Sequence, residues 1–237
     1  MAGAEAAQAP VILQISQNAV VFHRRQLRPL AAAAAQIAQA AAVPVALHLD
    51  HVEDTDLLRQ AADAGMSSVM FDASALDYDG NIEATRAAAE WAHARGLWLE
   101  AELGEVGGKD GAHAPGVRTD PVEAAAFTAA TGVDALAVAV GSSHAMTTQT
   151  ARLDHELITR LAGAAPVPLV LHGSSGVPDE ELARAVRHGI VKVNIGTAVN
   201  VALTGAIRNW LSAHPDTVDP RKYLAPPATR SRPPSPA

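Results

Sequence analysis

The chain has no cysteine among its 237 residues, which removes disulfides, thiolate nucleophiles and cysteine-held zinc together. Any metal must then be held by His, Asp or Glu. Aromatic residues make up only 3% of the sequence although 49% is hydrophobic, because alanine supplies much of the apolar fraction. The core is therefore expected to be closely packed and helix-rich rather than built on rings. Lysine is scarce, three residues against fifteen arginines, and the net charge is −7 with no Lys/Arg run. Those values argue against a nucleic-acid surface, which needs a basic patch. Residues 1–10 carry no positive segment ahead of an apolar core, so no secretory signal is read there. The longest weakly apolar stretch, 30–47, contains Gln36, Gln39 and Pro44 and reads as helix followed by strand, not as a membrane span. A soluble cytoplasmic protein with one large domain over 1–224 is expected, followed by a disordered Pro/Ser/Arg tail at 225–237.

What the chain does contain is a repeated alternation. Seven short apolar runs, at 11–16, 45–50, 68–73, 97–103, 135–141, 167–173 and 190–196, read as buried parallel strands. Between them, helices are expected at 30–42, 55–64, 82–95, 121–131, 154–162 and 179–187, with Gly65, Gly96, Gly132 and Gly189 closing four of them. Strand and helix alternating in this way make a parallel α/β fold. Polar residues stand at the C-terminal end of nearly every run: Ser16, Asp50, His51, Asp72, Glu100, Glu102, His144, His172 and Asn194. A TIM (β/α)8-type barrel brings all such ends to one face, where its active site lies, whereas an open sheet gathers only a few. Seven runs are one short of eight, so the barrel is expected to lack its first strand, and a C-terminal helix besides, leaving two unpaired strand edges.

The run 44–51 ends in His48, Leu49, Asp50 and His51. Side chains alternate along a strand, so His48 and Asp50 share a face while His51 is free to turn over the end. A carboxylate beside an imidazole there suggests a proton carrier next to a metal ligand. His51, His144 and His172, each at the end of a different strand, form a ligand set for a catalytic zinc or similar ion. His23, His93, His113, His155, His188 and His214 fall on helices or loops, where a solvated role is expected. The segment His172-Gly173-Ser174-Ser175-Gly176, and Asn194-Ile195-Gly196-Thr197 in the next unit, are small-residue turns of the kind that let backbone amides reach a phosphate.

Five motifs in order, at 44–51, 100–111, 140–144, 168–178 (PLVLHGSSGVP) and 192–197 (KVNIGT), resemble the class II, metal-dependent fructose/tagatose-bisphosphate aldolases over about residues 10–224. The resemblance implies a carbon–carbon lyase of carbohydrate metabolism and glycolysis, with Zn2+ on His51, His144 and His172 and a second, alternative metal position at Asp72 and Glu102. It implies that Asp50 exchanges the proton of the C4 hydroxyl. It also implies that Gly173, Ser175, Gly196 and Thr197 hold the phosphate, that Asn194 and Ser16 touch sugar oxygens, and that a loop over 107–116 closes the site. The implied partners are a sugar bisphosphate and triose phosphates, with no nucleic acid or membrane, in a homodimer or homotetramer.

The family's loop reads Gly-Gly, one residue, then Glu-Asp-Gly, whereas this chain has Lys109-Asp110-Gly111, one residue shorter. Asp110 is therefore expected to replace the glutamate that takes a proton from the bound triose phosphate. Ala145 stands where the family has glycine. Two other readings are a Schiff-base aldolase using Lys192, and a truncated, non-catalytic metal-binding remnant.

Overall fold

In the computed structural model, residues 1–103, 117–144 and 146–224 are described. Asp110 and the whole 107–116 loop, Ala145 and the 225–237 tail lie outside the described residues. The chain divides into two compact units, Met1–Asn194 and Ile195–Ala237.

The first unit begins with α1 (Ala2–Ala7) and β1 (Val11–Ser16), then α2 (Gln17–Phe22), α3 (Leu27–Ala40), β2 (Val45–Val52) and α4 (Thr55–Leu58). It continues through β3 (Ser68–Phe71), α5 (Tyr78–His93), β4 (Trp98–Glu102), α6 (Pro121–Thr131) and β5 (Ala135–Ala137). It ends with α7 (His155–Ala164), β6 (Leu169–Leu171), α8 (Asp179–His188) and β7 (Ile190–Val193). Aspartates start several of these helices: Asp77, Asp120 and Asp154 each accept hydrogen bonds from the first-turn amides of α5, α6 and α7. The expected closing glycines 65, 96, 132 and 189 all have positive φ.

The seven strands are parallel and pair in sequence order, so β1 and β7 are the two edges of the sheet. Strands at about 4.8 Å spacing would place β2 and β7 some 24 Å apart in a flat sheet. Instead His48 Nε2 of β2 lies 3.3 Å from Lys192 Nζ of β7. The sheet is therefore strongly curled, as in part of a barrel. Its inner face carries Met70, Ala135, Ala137 and Val170 as a small apolar cluster. The larger core, including Leu49, Val69, Leu99, Leu136 and Leu171, packs against buried residues of the helices such as Phe127, Ile158 and Leu161.

The expected elements are present with shifted bounds. β5 ends at Ala137: Val138 N still donates to Val170 O of β6, but Ala139 turns away, its N donating to Thr119 Oγ1 and its O accepting from Thr119 N. The helix expected over 55–64 is regular only through Leu58, after which bonds three residues back, from the Gln60, Ala61 and Gly65 amides, mix with bonds four residues back, from Arg59 and Ala64. In the second unit, α9 (Thr197–Ala213) and α10 (Pro220–Tyr223) follow, with Asp219 accepting from Arg221 N at 3.0 Å. Among the described residues no helix is long and apolar enough to cross a membrane.

Candidate active site

Within the first unit, the strand ends build the site. β1 and β2 run in register through Ser16 and Asp50, which places these two residues side by side. Ser16 Oγ accepts from Ala19 N at 3.2 Å and so caps α2. Alternation along β2 turns His48 and Asp50 to the same face, where His48 Nε2 lies 3.5 Å from Asp50 Oδ1. The register with β3 then slips between Leu49 and Val52. Inside that irregularity His51 adopts φ 49°, left-handed backbone that a residue with a Cβ rarely takes. This turns His51 over the strand end toward two imidazoles from farther along the chain.

The rings of His51, His144 and His172 meet edge to face, with centroids 5.2, 4.7 and 5.7 Å apart. One nitrogen of each lies within 4.8 Å of the others. His51 Nδ1 is 3.0 Å from Asp72 Oδ2, and His172 Nε2 is 2.9 Å from Glu100 Oε1. Carboxylates can only accept, so each ring gives its N–H to its own carboxylate. That leaves His51 Nε2 and His172 Nδ1, 3.0 Å apart, with their lone pairs facing one another. Two facing lone pairs repel unless a cation lies between them. Their spacing is close to the roughly 3.3 Å edge of a tetrahedron with Zn–N bonds of about 2.05 Å. The donor set therefore fits a divalent ion on His51, His144 and His172, with His51 and His172 oriented from behind by their carboxylates as metal-binding histidines require.

Buried acid surrounds these rings. Asp72, Glu100 and Glu102 are all buried. Asp72 Oδ1 accepts from Ser74 Oγ at 2.6 Å and from Ser74 N at 3.2 Å. Asp72, Glu102 and His51 also bring ligand atoms within 4.8 Å of one another. Burial by itself would raise the Asp50 carboxyl. The hydrogen bond from His48 and the electrostatic attraction of the neighbouring imidazoles of His172, His51 and His48 outweigh it, holding Asp50 well below the usual carboxylate range. Glu100 is likewise raised by burial, but His172, Lys192 and His48 lower it to about 2. Asp50 is thus an anion held beside the candidate metal position.

Lys192 Nζ lies 2.6 Å from Glu100 Oε2, across the inner face of the sheet. Asn194 Nδ2 donates to Asp50 Oδ1 at 3.4 Å and lies 3.1 Å from His172 Nε2, while its buried Oδ1 has no hydrogen-bond partner. Behind His172 the chain turns through Gly173 at φ 66°, where an added Cβ would stand 2.6 Å from the Ser143 backbone. Ser142 Oγ donates to His172 O at 2.6 Å, and Ser174 Oγ donates to Asn194 O at 2.5 Å, fixing this turn to the ends of β5 and β7. Ser175 lies within that turn.

The structure thus brings together Asp50, His51, Asp72, Glu102, His144, His172 and Asn194. Gly196 and Thr197 open α9 in the second unit. The pairing of Glu100 with Lys192 and His172 was not assigned from sequence, though Glu100 stood in the strand-end pattern. One expectation is corrected. His155 is not solvated but buried, its Nε2 3.0 Å from Glu181 Oε2, because α8 packs across the start of α7 and covers it.

The model of the family described as Fructose-bisphosphate aldolase class-II matches residues 1–232. The YdjI aldolase from Escherichia coli K12 is 35% identical, with a TM-score of 0.78 over 93% of this chain and 77% of that one. A protein assigned as a fructose-1,6-biphosphate aldolase from Coccidioides immitis is 30% identical, with a TM-score of 0.79 over 94% of this chain and 78% of that one. Fructose-bisphosphate aldolase from Campylobacter jejuni, at 23% identity, shares the fold, with a TM-score of 0.75 over 94% and 78% of the two chains. With three imidazoles converging beside a buried aspartate and a family model spanning nearly all its length, the chain belongs to the class II fructose-bisphosphate aldolase family.

Proposed function

We propose that the chain is a zinc-dependent aldolase. It cleaves a ketose 1,6-bisphosphate, fructose or tagatose, reversibly to dihydroxyacetone phosphate and glyceraldehyde 3-phosphate. The observation that carries this reading is the approach of His51, His144 and His172 nitrogens within 4.8 Å of one another, next to the anionic Asp50. Zinc, when bound by these histidines, supplies Lewis acidity at the ketose carbonyl.

The remaining steps belong to the chain's own groups. Asp50 accepts the C4 hydroxyl proton as the C3–C4 bond breaks, and returns it in the direction of synthesis. The bond's electron pair stays with the C3 fragment, and a proton delivered to C3, assigned to Asp110, completes dihydroxyacetone phosphate. Asn194 offers a buried acceptor, Oδ1, that lacks a partner until a substrate hydroxyl donates to it. Ser16 is assigned a neighbouring sugar oxygen. The phosphate is assigned to backbone and hydroxyl groups at Gly173, Ser175, Gly196 and Thr197. Asp72 and Glu102 are assigned the alternative metal position. A cytoplasmic setting in carbohydrate metabolism, with a homodimer or homotetramer, accompanies this reading.

A Schiff-base route is disfavoured by the Lys192 contact. A lysine held 2.6 Å from a buried carboxylate is an ammonium in an ion pair, with no lone pair to attack a carbonyl. The test is triose phosphate release from fructose and tagatose 1,6-bisphosphates by the purified chain. Release is expected to stop on complete chelation and to return with zinc. Cleavage that persists after all metal is removed would overturn the proposal.

A further inference from the structure

Glu100 and Lys192 come from β4 and β7, three strands apart, about 14 Å in a flat sheet. The curl brings their charged groups to 2.6 Å. Glu100 then uses its two oxygens for different partners: Oε2 for Lys192 Nζ, and Oε1 for His172 Nε2 at 2.9 Å. Lys192 also lies 3.3 Å from His48 Nε2, whose Nδ1 is 2.8 Å from Ser68 Oγ. An ion pair needed only to neutralise buried charge has no reason to spend its second oxygen on one ring nitrogen of a ligand histidine.

We propose that Glu100 and Lys192 are positioning residues that select the tautomer of His172, directing Nδ1 rather than Nε2 at the metal. The inference rests on the three-histidine reading above. Lysine is a donor with three N–H groups and no lone pair, so it takes one Glu100 oxygen and fixes the plane of the carboxylate. The other oxygen can then only accept, which keeps the ring proton of His172 on Nε2. The Nδ1 lone pair is thereby left toward His51 Nε2, 3.0 Å away. Lys192 acts on the site through Glu100 and touches no reacting atom.

A near-isosteric change separates this from a merely structural role. In Glu100→Gln, the ammonium of Lys192 captures the amide oxygen, so the NH2 group must face His172 Nε2. That nitrogen then becomes the acceptor, the ring proton moves to Nδ1, and the metal position is blocked. Zinc affinity of the full chain, measured by competition with a chromophoric chelator, is expected to fall about 10- to 100-fold, as for loss of other groups that orient ligand histidines. Adding Lys192→Met frees the glutamine to turn its oxygen to His172. The Glu100→Gln/Lys192→Met chain is therefore expected to regain most of the lost affinity, and the visible spectrum of cobalt(II) bound in place of zinc should return toward the wild-type form. Wild-type affinity in Glu100→Gln overturns the tautomer role, and equally weak binding in the single and double variants overturns the part given to Lys192. Absence of zinc and cobalt binding from the unaltered chain overturns the three-histidine reading itself, a result distinct from both.

Discussion

His51 and Asp50 are adjacent in sequence but do different jobs because the backbone changes hand between them. Asp50 ends the regular part of β2 with its carboxylate on the inner face, whereas His51, at φ 49°, leaves the pleat and turns its ring over the strand end. The period of two made the first placement legible in the sequence, and a strand-end position made the second one legible in outline. The strain at His51 was not, since no glycine or asparagine marks it. His155 was misread for a different reason: a histidine in the first turn of a helix looks solvated until the partner helix is known, and here Glu181 on α8 covers it. The division of labour gives a prediction at this scale. Asp50→Asn keeps shape and leaves the three histidines in place, so zinc binding should remain within a few-fold of wild type. The turnover number for cleavage should fall by about 10²- to 10⁴-fold, the usual contribution of a positioned base. Steady-state kinetics alongside metal titration checks both halves, and equal losses in each would mean that Asp50 holds the metal rather than the proton.

Elements were legible where their patterns were local. Pro121–Thr131, with Asp120 before it and Gly132 after it, appears in the structure as expected because cap and stop are both written into the sequence. α2 was missed because Ala19, Val20, Val21 and Phe22 do not form a strong helical pattern, and its start depends on Ser16 serving as a cap at the end of a strand. α9 was not among the expected helices: its start was read only as a small-residue turn, and the β-branched Val199 and Val201 in its first turns weaken the helical signal. The turn after β6 tests how much a single element contributes. Gly173→Ala would put a Cβ 2.6 Å from the Ser143 backbone at φ 66°, whereas Gly65→Ala, at φ 77°, meets nothing within 4 Å. Both variants are expected to lose about 1 kcal/mol for left-handed backbone. Gly173→Ala should lose on the order of 1–3 kcal/mol more, since the neighbour is backbone and cannot swing aside. Urea unfolding of the metal-free chain measures the difference, and equal losses would show that the turn has room to relax.

The parallel α/β order of the first unit was legible from the alternation alone, but the curl of its sheet was not. Open and curled sheets share the same strand pattern, and only the gathering of polar residues at strand ends favoured convergence. The contacts of Lys192 with His48 and Glu100 supply what the pattern lacked. His51 and His172 are 121 residues apart in sequence and meet only after four consecutive strand pairings have been made between β2 and β6. An ion binding these rings therefore binds the folded unit and not the unfolded chain, so metal and fold are linked. At free zinc 100 times its dissociation constant, the folded state gains about 2.7 kcal/mol. For a unit of this size each kcal/mol raises the midpoint by about 2–4 °C, so thermal melting followed by circular dichroism should move up by about 5–11 °C. His172→Ala should abolish that rise while retaining a cooperative metal-free transition. A midpoint that ignores zinc in the unaltered chain would mean that the three histidines meet without forming a site.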